Sequence, residues 1–215
     1  MRLFLIRHGQ SVANTVTDDL PDSPLTELGL QQAETTAQFL RQLPFEHIVS
    51  SPLLRCLATA APLASELGLP VQVWEDLVEV RNQGPYVGPA RSTLMQQFPR
   101  AVFTPHFTED GWVYSGVESH AESMARAEQV IQKLRTRYLG SVIAVFAHGT
   151  FNSYLIQAAL GLNGEGSLRF HQSNCCINVL DLDEGATRIS VLNNRCHLPA
   201  EKFGPPGWLK EHLDA

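Results

Sequence analysis

At 215 residues the chain is long enough for one domain with a sizeable core, read here as residues 1–198 followed by a tail at 199–215. A formal net charge of −6, with lysine only at Lys133, Lys202 and Lys210, excludes the basic footprint of a nucleic-acid or anionic-membrane binder, so a phosphate ligand would need a local arginine cluster. Cys56, Cys175, Cys176 and Cys196 lack paired CxxC spacing, which argues against a zinc site or a disulfide framework and for a reducing cytoplasm.

The apolar run Leu3-Phe4-Leu5-Ile6 is too short for a signal-peptide core or a membrane span and reads as a buried strand that stops at Arg7-His8-Gly9. Pro24-Leu25-Thr26-Glu27 opens a helix with Thr26 as its cap, Leu30, Ala33, Ala37 and Leu40 as its buried stripe, and Pro44 as its end. His47-Ile48-Val49 is a second strand. Ser51-Pro52 then predicts a cap followed by proline at the first helical position, placing Arg55 in the first turn. Pro62 should break or kink that helix, and Gly68 should terminate the stretch after the break. Val71-Gln72-Val73-Trp74 alternates as a strand, with Leu77-Val78-Glu79 after it.

Residues 82–117 change character. Gly84, Pro85, Gly88, Pro89, Pro99 and Pro105 punctuate aromatic residues, with a short helical stretch near Ser92 to Phe98, so the segment reads as an irregular lid or insertion. Ser119-His120-Ala121-Glu122 has capping-box spacing and opens a long helix running to Gly140. The run Val142 to Ala147 is another buried strand, stopping at His148-Gly149 before a helix at about 150–160 that Gly161 ends. Cys176 to Leu180 and Arg188 to Leu192 form a strand pair turning at Asp183-Glu184-Gly185, and Gly204-Pro205-Pro206-Gly207 marks the tail.

Short branched runs alternating with helical patterns predict an α/β fold, and ligands of open α/β sheets bind beyond the carboxyl ends of the strands. Two histidines delivered at such ends, His8 and His148, suggest one site. Arg7 and Arg55 fall at the same edge, a combination suited to a dianion.

The residues Arg7-His8-Gly9-Gln10-Ser11 with Asn14, Pro24-Leu25-Thr26, Ser51-Pro52-Leu53-Leu54-Arg55, Glu79, Glu118-Ser119 and His148-Gly149, in this order and spacing, resemble the histidine phosphatase superfamily, the phosphoglycerate-mutase-like proteins. The resemblance covers nearly the whole domain and implies a three-layer α/β/α sandwich with a mostly parallel central sheet. It also implies metal-independent phosphomonoester hydrolysis of a small phosphorylated metabolite through a phosphohistidine, with no cofactor. On that pattern His8 is the nucleophile, Arg7, Arg55 and His148 bind the phosphoryl oxygens, and Glu79 is the general acid and then the base. Gly9 would admit the ligand's close approach, and Gly149 would share the phosphate site. Ser11 and Asn14 match secondary phosphate positions, although Asn14 equally fits a loop cap. Glu118 fits either a substrate contact or a charged first-turn residue. Asp76 and Glu75 lie near enough to Glu79 to take its role, and the aromatic and Glu-Gly pattern found after this glutamate in many relatives is absent. His106, His120 and His171 lack a strand-end context and read as surface or rim residues.

Two other functions stay open at this point. A phosphoglycerate mutase would return the phosphoryl group to another oxygen, but mutases of the family carry a long, strongly basic insertion after the glutamate, whereas here the corresponding stretch after Glu79 offers Arg81, Arg91 and Arg100 and no lysine. A non-catalytic phospho-ligand-binding protein would be marked by the loss of a key residue, and none is lost.

Overall fold

In a computed structural model the strand β1 (Arg2–Arg7) lies in the interior of the sheet, and Leu3 to Ile6 are buried on both of its faces. The structure describes all residues except 17–19, 81–83, 115, 163–167, 184 and 203–215. Strands β2 (His47–Ser50), β3 (Val71–Val73), β5 (Ala101–Val102) and β7 (Val142–Ala147) run parallel with β1, while β8 (Ile177–Asp183) and β9 (Ala186–Asn194) extend the sheet antiparallel, in the order β5-β3-β2-β7-β1-β8-β9.

The two-residue period of the strands sorts the core into layers. Leu3, Leu5, Ile143 and Val145 face one way and pack with Met124, Leu134, Phe151 and Leu155 from α4 (His120–Arg137) and α5 (Gly149–Ala159). Phe4, Ile6, Ala144 and Phe146 face the other way, against Ala37, Leu40, Ala60 and Leu63 from α1 (Glu27–Leu40) and α2 (Leu54–Leu67). The result is a three-layer α/β/α sandwich with a mostly parallel sheet, and each such fully buried aliphatic or aromatic side chain contributes roughly 1.5–3 kcal/mol.

Several local expectations hold. Thr26 caps α1 by accepting from Gly29 N, Ser119 and Glu122 form the capping box of α4, and Gly68 closes α2 at φ +68°. Others are corrected. Leu30 is 54% exposed, and the inner face of α1 is instead built with Gly29, Gln32 and Thr36 beside Ala33, Ala37 and Leu40. Ser51 does not cap α2, which begins at Leu54. The Leu54 amide donates instead to Asp22 Oδ1, from the preceding loop, at 2.6 Å. Pro62 neither breaks nor ends α2, because proline and its orphaned partner Ala58 lie on the half-exposed side, where solvent can take the freed carbonyl. Helix α4 stops at Arg137 rather than Gly140.

The 82–117 segment is more ordered than its Gly and Pro content suggests. Strands β4 (Tyr86–Val87) and β6 (Val113–Tyr114) pair antiparallel, α3 (Arg91–Gln97) sits between them in sequence, and β5 joins the edge of the main sheet. Phe103, Phe107, Trp112 and Tyr114 bury themselves against Leu53, Leu57 and Val78 in a cluster of their own. Arg81, Asn82 and Gln83, the predicted Glu184 turn position, and Gly204 to Gly207 of the tail lie outside the described residues.

Candidate active site

Parallel pairing of β1 with β7 places Arg7 opposite Ala147, so the next residues, His8 and His148, leave adjacent strands side by side. Their rings stand 5.3 Å apart at 61°. His8 Nδ1 lies 2.7 Å from the Gly9 carbonyl, an acceptor only, so Nδ1 carries the proton and Nε2 keeps its lone pair. Burial, then Arg55 and Arg7, hold the His8 pKa well below the ordinary imidazole value, and the ring is neutral at neutral pH. His148 is depressed in the same way by burial, followed by Arg55, His8 and Arg7. Its Nε2 meets Ser51 Oγ at 2.8 Å and Cys56 Sγ at 3.4 Å.

Arg7 donates from its NH1 group to the Gln172 carbonyl at 2.6 Å, while its buried Nε has no partner among the described residues. Burial lowers the Arg7 pKa from the usual guanidinium value, opposed by Cys176 and Glu79. Arg55, in the first turn of α2 and 7% exposed, donates to the Pro21 carbonyl at 3.0 Å. Asp22, next to that carbonyl, is a residue the sequence did not single out. Burial pushes its carboxyl up to about 6, opposed by the Leu54 amide and Arg55, and Tyr86 OH donates to it at 3.3 Å.

Glu79 reaches the same edge by capping α5 from outside. His148 gives that helix no side-chain cap, and the amides of its second and third residues turn to Glu79 instead, Thr150 N at 3.2 Å and Phe151 N at 2.9 Å. The amide of Val80 adds a third donor at 2.9 Å. The neighbouring acids go elsewhere. Asp76 pairs with Lys133 at 2.7 Å on the surface, and Glu75 meets Thr104 and His106.

Four other expected positions have defined protein neighbours. A Cβ on Gly9 would lie 2.6 Å from the Gly29 carbonyl, so glycine here permits the crossing of two backbones. Gly149 similarly leaves room for Arg7, whose Nε would be 3.2 Å from an added Cβ. Asn14 Oδ1 accepts from Ser11 N, Ser11 Oγ and Asn174 Nδ2 at 3.1, 3.2 and 3.1 Å, which is the loop-cap alternative. Glu118, expected near substrate, has both carboxylate oxygens on Arg126, at 2.7 and 2.6 Å. Among the remaining histidines, His106 and His171 are exposed, and His120 is bonded to Tyr154 OH at 2.7 Å. Asn174, which also donates to the His8 carbonyl at 3.2 Å, went unseen in the sequence because nothing local marks a residue that supports a loop 166 positions away.

The family model of the histidine phosphatase superfamily (branch 1) matches residues 3–195. The chain is 29% identical to phosphoserine phosphatase 1 of Hydrogenobacter thermophilus, covering 92% of this chain and 94% of that one. It is 30% identical to the Yersinia enterocolitica protein named "Probable phosphoglycerate mutase", over 86% of each chain. A mycobacterial glucosyl-3-phosphoglycerate phosphatase superposes with a TM-score of 0.63 at 25% identity, covering 90% of this chain and 99% of that one.

Proposed function

Because the chain belongs to the histidine phosphatase superfamily, we propose that it hydrolyses a small phosphorylated metabolite by passing the phosphoryl group through His8. The observation that carries this reading is the neutral His8 imidazole, tied through Nδ1 to the Gly9 carbonyl and so presenting Nε2 to an incoming phosphorus. Arg7 and Arg55, with His148, take the phosphoryl oxygens and stabilise the charge that develops in flight; removing one such donor commonly costs about 10²–10³ in rate. Nε2 bonds to phosphorus as the ester P–O bond breaks, and Glu79 gives the departing oxygen its proton. In the second half Glu79 takes a proton from water, whose oxygen displaces Nε2 and releases inorganic phosphate. Ser11, Asn14 and Gly9 hold the loop that carries His8, and Gly149 leaves space for Arg7. The charge in this scheme comes from side chains, so no metal or organic cofactor takes part.

The relatives include phosphatases and a protein named as a mutase, so the fate of the phosphoryl group is the point at issue. Hydrolysis is favoured by the poverty of cations beyond the phosphate clamp. Arg91 and Arg100 are the cationic residues of the described part of the 82–117 segment, too few to hold a second phosphate of a bisphosphate primer. A purely phosphate-binding role is disfavoured because nucleophile, clamp and carboxylate are all present. The cytoplasm suits the four cysteines, none of which is in a disulfide. No helix among the described residues is long and apolar enough to cross a membrane. The deciding experiment supplies 3-phosphoglycerate and other phosphomonoesters with and without 2,3-bisphosphoglycerate. Inorganic phosphate as the main product supports the phosphatase; quantitative, bisphosphate-dependent conversion to 2-phosphoglycerate overturns it.

A further inference from the structure

The Glu118–Arg126 pair takes part in neither half of the reaction, yet its geometry converges on Glu79. Arg126 is mostly buried, with 15% of its side chain exposed, and its guanidinium is engaged on two sides. Nε and one terminal nitrogen make the bidentate pair with Glu118, and the other terminal nitrogen donates to the carbonyls of Asp76 at 2.8 Å and Val78 at 2.9 Å. Val78 is the residue before Glu79. The face of the same guanidinium lies 3.8 Å above the Phe151 ring, and the Phe151 amide is one of the three donors that hold the Glu79 carboxylate. One planar cation therefore fixes both the chain that delivers Glu79 and the ring beside its amide anchor. Tyr114 OH, donating to the Glu79 carbonyl, secures the backbone from the other side.

We propose that Arg126, oriented by Glu118, is a positioning residue that sets where the Glu79 carboxylate stands relative to the leaving oxygen. The inference rests on the proton-transfer role proposed for Glu79. A lysine could not replace Arg126, since an ammonium cannot bond a carboxylate bidentately, meet two carbonyls and lie flat on a ring together. An ordinary ion pair would predict only a change in stability. A positioning role predicts a change that depends on how much the leaving group needs a proton.

The test measures the rate of phosphoenzyme formation by rapid quench with an alkyl phosphate and with p-nitrophenyl phosphate, for wild type, Arg126→Met, Glu118→Gln and Glu79→Gln. Displacing an acid by about an ångström costs on the order of a hundredfold, so Arg126→Met should lose at least about tenfold with the alkyl ester while staying within about threefold of wild type with the aryl ester. Adding Glu79→Gln to Arg126→Met should cost little more. If Arg126→Met does not fold, Glu118→Gln carries the test, with the same selective loss in smaller degree. Equal losses on both esters in the Arg126 and Glu118 variants, alongside a selective loss in Glu79→Gln, overturn the positioning role alone. A Glu79→Gln variant without selectivity overturns both that role and the assignment of Glu79 as acid.

Discussion

Gly9→Ala tests whether the placement of the His8 ring sets the rate. An alanine Cβ there would lie 2.6 Å from the Gly29 carbonyl oxygen and 3.2 Å from its carbon, about 0.8 Å short of ordinary contact with the oxygen. The obstacle is backbone at the start of α1, which cannot rotate aside as a side chain would, so the 8–10 segment has to move. That segment carries the carbonyl that orients His8 Nδ1 at 2.7 Å and the amide anchored on Thr59 Oγ1 at 3.0 Å. A displacement of that size at a reacting centre costs about a hundredfold in rate, and the overpacking costs about 1–3 kcal/mol in stability. Gly149→Ala is the matched control. Its Cβ would meet Arg7 Nε at 3.2 Å, near the tip of a long side chain that can yield a few tenths of an ångström. Phosphoenzyme formation with p-nitrophenyl phosphate should therefore fall about a hundredfold in Gly9→Ala and less than about tenfold in Gly149→Ala. Both variants should unfold cooperatively. A folded Gly9→Ala enzyme within about threefold of wild type would show that the rate does not depend on the ring's placement, and the reasoning would fail.

His8→Ala should form no acid-labile, base-stable phosphoenzyme in a rapid quench with labelled substrate; retention of the adduct or of near-full turnover would move the nucleophile elsewhere. Dialysis against EDTA should leave turnover unchanged and vanadate should compete with substrate, whereas activity lost to the chelator and restored by a divalent ion would contradict a clamp made of arginines. Asp22, its carboxyl raised to about 6 by burial, binds its proton more tightly folded than unfolded, so stability falls as pH rises through about 4 to 6. Asp22→Asn lacks this dependence, and the stability of wild type relative to the variant in urea unfolding should drop by up to about 3 kcal/mol between pH 4 and 7; a constant difference across that window would refute the raised carboxyl.

Features legible in the sequence are those whose interactions are local. Strand runs such as Leu3 to Ile6 are short and apolar because both faces are covered, and that composition puts Arg7-His8 and His148 at strand ends, which the parallel pairing of β1 with β7 then brings to one edge. The caps Thr26 and Ser119 bond within three residues of themselves, so their spacing is visible in the chain. The partners of Glu79, Glu118 and Asp22 are fixed only by folding: Phe151 lies 72 positions from Glu79, and Leu54 lies 32 from Asp22. One trace of the first relation was present. Helix α5 has His148 at its N-cap, with no Ser, Thr, Asp or Asn there to take its first amides, a vacancy that a remote carboxylate fills. In the 82–117 segment glycine and proline drew attention to turns, while Phe103, Phe107 and Trp112 were the stronger signal, since side chains of that size require a core.

Arg55 serves the site in two ways that a single substitution can separate. Its guanidinium is the one proposed to take a phosphoryl oxygen, and it is also the largest charge effect, after burial, keeping both His8 and His148 unprotonated. On that proposal, the same cation that would attract a dianion repels the proton that would silence His8 as nucleophile. Removing it should weaken phosphate binding and let the His8 pKa rise, so that neutral His8 is lost at a higher pH than in wild type. In Arg55→Met the acid limb of kcat/KM should therefore move upward in pH, on top of a rate loss on the order of a hundredfold. Arg55→Lys keeps the charge but not the fork, and should lose rate with little movement of the limb. Monitoring p-nitrophenyl phosphate hydrolysis from about pH 4.5 to 8 distinguishes the two. An unmoved acid limb in Arg55→Met would mean that burial and Arg7 suffice to keep His8 neutral, leaving Arg55 with the proposed phosphoryl contact as its one task.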